Sequence, residues 1–260
     1  MGFPALDFSE PIAWWTPSEY AVRLASCGVD MDLCAPGPHW LPNLPERYVS
    51  RPIWCGRLGD IHKAPRSGFS KIAEAKLSGL DSRWWDSIED FVLSAMDAGA
   101  VMKAWVQVCP VFVGYEQEHR CFVRNGHVVA SSVYMADAGE EIWQPQMSDN
   151  PLYSKHADDA RSFAQEVADF LGHDQPVSYV IDVGLASKRW SVIEANPTWC
   201  ASMYDCDLFE VAVSVVSSSL TVAGRLQSAH GRWAYVPDPS LVAIAEKKIP
   251  LRPSICRRVT

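Results

Sequence analysis

The segment VSYVIDVGLASKRWSVIEANPTW, residues 177–199, contains two strand-like runs joined by a polar turn near Ala186–Arg189. Side chains two apart on a strand project to the same face, so Glu194 and Asn196 point together, and the turn brings Asp182 alongside them. Two carboxylates and an amide oxygen form a hard-oxygen set of the kind that holds Mg²⁺ while leaving part of its shell to water and phosphate. The competing reading is that all three face water on a half-buried hairpin, and spacing alone favours it.

Upstream, GFSKIAEAKLSGL places Lys71 in an apolar strand and Lys76 in the small-residue loop that follows. A lysine inside an apolar run must reach solvent or find an anion. Two lysines beside a Gly/Ser turn suit phosphate oxygens as point charges, although two exposed lysines are the commoner outcome. Neither a P-loop nor a dinucleotide-binding glycine fingerprint is present. Before Asn125-Gly126, strand alternation puts Glu118, Arg120 and Arg124 on one face with Phe122 between the arginines. Such an arginine can grip a phosphate or carboxylate through two parallel bonds or pair with an acid on the next strand, and both readings stay open. His62, His119 and His156 form no cluster and fit no Ser-His-Asp order. Trp14-Trp15 and Trp84-Trp85 read as core and interface anchors.

These residues need elements to hold them. Thr16-Pro17-Ser18-Glu19 is a capping box with proline in the first turn, and it predicts a helix that stops at Gly28. A short extended run near Val29–Leu33 and a proline-rich connector follow. Tyr48–Cys55 reads as an edge strand because Pro52 lies inside it. Phe69–Ala73 reads as a strand, and Ser82–Gly99 as a helix from the recurrence of Trp85, Ile88, Phe91, Val92, Ala95 and Met96. Ala104–Val113 is extended, and Asn125-Gly126 predicts a tight hairpin between His119–Arg124 and His127–Tyr134. Ala136–Tyr153 reads as loop, while Ser154–Gly172 and Asp207–Gly224 read as helices. The order predicts an α+β fold rather than a doubly wound parallel sheet.

With 260 residues the chain can bury a substantial core. Its formal net charge of −8 argues against a general nucleic-acid binder, which needs a cationic surface. No run approaches the ~18 apolar residues of a membrane span, and the start of the sequence shows no secretory pattern. Eight cysteines without a CxxC pair or zinc-like spacing are expected as reduced thiols in a cytoplasmic chain.

In chain order the pieces are a strand lysine, a loop lysine, an extended connector, E-x-R in a hairpin, then D and E-x-N in a later hairpin. This order, in the phrasing GFSKIAEAKLSG, EHRCFVRNGHVV and VIDVG…WSVIEANPTW, resembles the ATP-grasp superfamily, in particular its clade named for an arginine-and-lysine signature, over roughly residues 66–207. The resemblance implies an ATP-grasp fold, two α+β subdomains gripping ATP, preceded by a small α/β pre-grasp unit. Residues 1–65 would form that unit, 66–225 the ATP-grasp domain, and 226–260 a segment packing on the core. It implies Lys71 and Lys76 on the phosphates, and Gln107, Cys109 and Val111 in a hinge beside adenine. It places Asp182, Glu194 and Asn196 on Mg²⁺ and Arg120 near the γ-phosphate, with Arg120 and Lys76 catalytic. Many relatives carry an acidic ribose-binding residue in the hinge; QVCPV has none, which leaves Glu116 and Glu118 as the nearest carboxylates. The implied reaction joins a carboxylate to an amine through an acyl-phosphate, releasing ADP, on an amino acid, a peptide or a small metabolite. Phosphotransfer to a small molecule and nucleotide binding without turnover are the alternatives.

Overall fold

The structure, a computed structural model, describes residues 11–26, 29–73, 79–136, 140–141, 156–220 and 230–237. In chain order its elements are α1 (Ser18–Ser26), α2 (Glu46–Val49), β1 (Trp54–Arg57), β2 (Gly68–Ile72), β3 (Arg83–Trp85), α3 (Ile88–Asp97), β4 (Trp105–Cys109), β5 (Gln117–Arg124), β6 (His127–Ala136), β7 (Glu140–Glu141), α4 (Ala157–Leu171), β8 (Ser178–Ala186), β9 (Arg189–Asn196) and α5 (Leu208–Ser219). They build two antiparallel sheets, one of order β1-β4-β2-β3 and one of order β7-β6-β5-β8-β9. The expected α+β class holds.

Alternation along the strands decides which side chains reach the space between the sheets. In the five-stranded sheet Cys121, Val123, Ile181 and Val183 pack against Ala160, Ala164 and Val167 of α4. The intervening residues Phe122 and Val180 pack against Val211 and Val215 of α5. Glu118, Arg120 and Asp182 share the α5 side by strand parity. In the four-stranded sheet Ile72, Val106 and Val108 pack on Ile88, Phe91 and Ala95 of α3, so Phe69, Lys71, Gln107 and Cys109 project from the opposite face. Gly68 lets β2 start close against the end of β4. Its φ is +154°, and a Cβ there would come within 2.4 Å of the Cys109 carbonyl oxygen.

The turns explain the hairpins. Asn125 and Gly126 both take positive φ, as a tight two-residue turn of the predicted kind requires. Ser187 and Lys188 do the same between β8 and β9 without glycine or asparagine, and Glu116 accepts the Ser187 N–H at 2.9 Å. Asp207 caps α5 by accepting from the Glu210 N–H.

Four predicted elements are corrected. The expected loop Ala136–Tyr153 opens inside strand: Ala136 closes β6, and Glu140–Glu141 pair back on it as β7. Residues 46–49, partly inside the expected strand Tyr48–Cys55, form α2. Pro45 starts it and Ser50, in the left-handed region, ends it, so the strand begins only at Trp54, beyond Pro52. Ser82–Gly99 is not one helix: Arg83–Trp85 pair with β2, and α3 begins after Ser87, whose hydroxyl accepts from the Asp90 N–H. Ala104–Val113 contributes strand only over Trp105–Cys109. Gly28, Lys76, most of the 136–153 loop and most of residues 226–260 lie outside the described residues.

Candidate functional site

On β8 and β9, Asp182 faces Glu194 directly, and the pairing then skips to Val183 opposite Val192, leaving Ile193 as a bulge. The bulge aims Glu194 and Asn196 toward the other sheet. Asp182 is wholly buried and receives two parallel bonds from Arg120 on β5, Nε to Oδ1 at 2.9 Å and Nη2 to Oδ2 at 2.7 Å. Asn196 Nδ2 donates to Asp182 Oδ2 at 3.2 Å and to Glu194 Oε1 at 2.8 Å. Lys71, on β2 of the other sheet, pairs with Glu194 Oε2. One continuous polar cluster thus joins the two sheets.

Aromatic rings hold the arginine from its other side. The Arg120 guanidinium carbon lies 4.8 Å from the Tyr204 ring centre and 5.5 Å from that of Tyr134, and the two rings stack 5.0 Å apart. Arg120 Nη1 also donates to the Ser202 carbonyl at 3.1 Å. The Tyr134 hydroxyl donates to Glu118. Burial raises the Glu118 carboxyl to about 7, with the Tyr134 bond opposing and the charges of Asp182 and Glu194 adding to the rise. Burial likewise raises Asp182, although Arg120 pulls it back. Burial would lower Arg120, but the Asp182 carboxylate outweighs it and keeps the guanidinium charged.

The cluster lies where two cavities meet. A largely apolar cleft of about 860 Å³ is lined by Phe69, Gln107, Cys109, Val111, Glu116 and Glu118, among others, and a second cavity of about 350 Å³ by Arg120, Asn196, Ser202 and Tyr204, among others. Lys71 and Glu194 line both. Of the sequence-predicted residues, Lys71, Gln107, Cys109, Val111, Glu118 and Glu194 therefore meet in the cleft, and Arg120 and Asn196 at the second cavity, with Asp182 beneath them. Arg124 stands apart: it pairs with Glu210 at 2.7 Å and ties α5 to the sheet. Of the two open readings of Arg120, this structure shows the cross-strand ion pair with Asp182.

Asn196 directs its N–H donors to the Asp182 and Glu194 carboxylates, which draws the three side chains together and leaves its own oxygen as an acceptor. Among the described residues no group of three or more His, Cys, Asp or Glu could hold a metal alone. The donor set fits a hard cation that completes its shell with ligand oxygens, as Mg²⁺ does.

Two contributors escaped the sequence. Arg51, just after α2, donates to the carbonyls of Val49, Val192 and Ile193 at 2.8–2.9 Å and to the Tyr115 hydroxyl at 3.0 Å, so it pins the bulge itself. Tyr204 holds a left-handed φ of 49° beneath Arg120. The positive φ leaves no mark in a tyrosine codon, and the carbonyl partners of Arg51 carry no side-chain signal.

Residues 48–213 match the ATP-grasp domain, family 2 of the clade named for its arginine-and-lysine signature, and the chain belongs to this family. Its two-sheet α+β architecture is the ATP-grasp fold, as the motif order implied. No curated protein matches the sequence. Among solved structures the chain is similar to Cdc123 from Schizosaccharomyces pombe, at 14% identity and TM-score 0.36, over 53% of this chain and 62% of that one. It is also similar to D-alanyl-alanine synthetase A from Vibrio cholerae O1 biovar eltor, at 14% identity and TM-score 0.39, over 64% and 60%. A third is D-alanine–D-alanine ligase from Bacillus anthracis complexed with ATP, at 13% identity and TM-score 0.36, over 58% and 49%. The chain spans less than two thirds of each of these structures.

Proposed function

We propose that the chain is an ATP- and Mg²⁺-dependent carboxylate–amine ligase. The observation that carries this reading is the position of the Lys71–Glu194 and Arg120–Asp182 pairs, at the boundary between an apolar cleft and a smaller polar cavity. The cleft takes the nucleotide, with the base against Phe69, Cys109 and Val111. Lys71 and Arg120 would turn from their carboxylate partners to phosphate oxygens, and Asp182, Glu194 and Asn196 are the residues that would hold Mg²⁺. The ion supplies neutralisation of phosphate charge. Lys76, from its place after β2, joins Lys71 on the phosphates. Phosphoryl transfer needs this positioning and charge compensation more than a protein nucleophile.

In the smaller cavity an acceptor carboxylate oxygen bonds to the γ-phosphorus as the bond from that phosphorus to the β–γ bridging oxygen breaks, and ADP leaves. An amine then bonds to the acyl carbon, inorganic phosphate departs, and the amine proton passes to solvent. Arg120 keeps its charge throughout and steadies the transferring group, held in plane by Tyr134 and Tyr204.

The test is ADP release from the purified chain across a matrix of carboxylates and amines. A ligase releases ADP only when both are supplied, and EDTA abolishes the release until Mg²⁺ is restored. ADP with a single acceptor would mark a phosphotransferase, and stabilisation by ATP with Mg²⁺ without any ADP a nucleotide-binding protein. Absence of any thermal stabilisation by ATP with Mg²⁺ would overturn all three.

A further inference from the structure

The second cavity is assembled from two parts of the chain. Lys71, Arg120 and Asn196 of its inner lining, beside the ion pairs, lie within the region that matches the family, whereas Ser18 and Glu19 of α1, the Ala35–Gly37 loop and Tyr235 lie outside it.

Glu19 is the telling residue. The Thr16-x-x-Glu19 box predicts that its carboxylate reaches back to the Thr16 N–H. That N–H donates instead to the Trp199 carbonyl, at 2.9 Å, which pins the start of α1 onto the turn after β9. The Glu19 carboxylate is released from capping and lines the cavity, with no ion pair among the described residues. It is a half-buried carboxylate on the wall of a cavity that Lys71 and Arg120 also line. Tyr204 and Tyr235 line the same cavity, the latter edge-on to Trp199 with ring centres 5.0 Å apart.

We infer that the second cavity takes a small zwitterionic acceptor, its ammonium group held by Glu19 and its carboxylate directed toward Arg120 and Lys71. The inference rests on the reading of the inner end as the phosphoryl-transfer site. At about 350 Å³ the cavity is at the small end of ligand sites and suits a molecule the size of a single amino acid rather than a peptide segment. An ammonium–carboxylate bond in a partly desolvated cavity is among the stronger hydrogen bonds available. A dianionic acceptor would meet Glu19 and Glu194 with like charge.

The full chain, with saturating AMPPNP and Mg²⁺, is titrated by calorimetry with each of the twenty common L-amino acids and with the deaminated counterpart of every one that binds. At least one amino acid binds, its deaminated counterpart binds about tenfold more weakly or worse, and Glu19→Gln brings the amino acid down to the same level. Affinity for AMPPNP is unchanged in Glu19→Gln, because Glu19 does not line the nucleotide cleft. The inference is overturned if no amino acid binds, if the deaminated acids bind equally well, or if Glu19→Gln leaves amino-acid affinity intact. Failure of AMPPNP to bind would instead sink the ATP reading. The same titrations without nucleotide then still decide the cavity's ligand by the difference between wild type and Glu19→Gln.

Discussion

Adjacent residues on β5 show how strand alternation sorts chemistry from packing. Glu118 faces the cleft, and burial lifts its carboxyl from 4.5 to about 7. His119 faces α4, edge-on to Trp190, and burial lowers it from 6.5 to about 4, with His156 adding to the fall. Their linkages oppose one another. Between 4.5 and 7 folded Glu118 keeps a proton that the unfolded chain releases, so its stabilisation is complete at low pH and is lost as pH rises through that window. Folded His119 refuses a proton that the unfolded chain accepts below 6.5, so its stabilisation is lost as pH falls toward 4. The wild type therefore shows a shallow pH dependence where the windows overlap. Glu118→Gln unmasks His119, and its stability falls by on the order of 2 kcal/mol on acidification across the window. His119→Gln does the reverse and gains relative stability toward low pH. Urea unfolding at stepped pH measures both, and parallel profiles for the two variants would refute the assignment of these groups.

At the scale of elements, the bulge in β9 is what turns two ordinary strands into a site, and Arg51 holds it. Its guanidinium serves the carbonyls of Val49, Val192 and Ile193 and the Tyr115 hydroxyl, which also meets the Ser191 hydroxyl at 3.1 Å. Arg51→Met keeps much of the apolar stem but strands those acceptors. A loss of about 3 kcal/mol is expected, since hydrogen bonds from a charged donor are worth about 1.5–3 kcal/mol each and are only partly replaced by water. Amide exchange in β9 should quicken more than in α3, which belongs to the other sheet's core; equal quickening everywhere would assign Arg51 a general rather than local role. The strands of this region were legible because period-two alternation and Asn125-Gly126 are local signals. Asp182, Glu194 and Asn196 could be put on one face for the same reason. The bulge that aims them was not legible, because it depends on a residue 141 positions away. Trp84-Trp85 misled because a bulky apolar pair fits a helical stripe as well as a strand, and only the Ser87 cap separates the two.

At the scale of the molecule, the proposed function asks an anionic chain to receive an anionic nucleotide. The net charge of −8 disfavours approach, so cations at the boundary must compensate, yet in this structure Lys71 is already paired with Glu194 across the gap between the sheets. That pair ties the two sheets together, and under the proposed function it also opposes nucleotide binding without metal: Lys71 would have to leave Glu194, with a carboxylate left facing phosphate. Under the same proposal Mg²⁺ gives both charges new partners. The two ligands should accordingly bind with positive coupling, reciprocal by linkage. Glu194→Gln removes the competitor, so in EDTA it should bind ATP several-fold more tightly than wild type, by about 1 kcal/mol for a pair of this partial exposure. The same variant should lose most of the enhancement that Mg²⁺ gives the wild type. Lys71→Met should bind ATP more weakly under both conditions. Calorimetric titration of ATP into the three proteins, with EDTA and with Mg²⁺, separates these signs. If Glu194→Gln were weaker than wild type in EDTA, the bridge between the sheets would be an aid to nucleotide binding rather than its competitor, and the exchange of partners proposed for Lys71 would have to be abandoned.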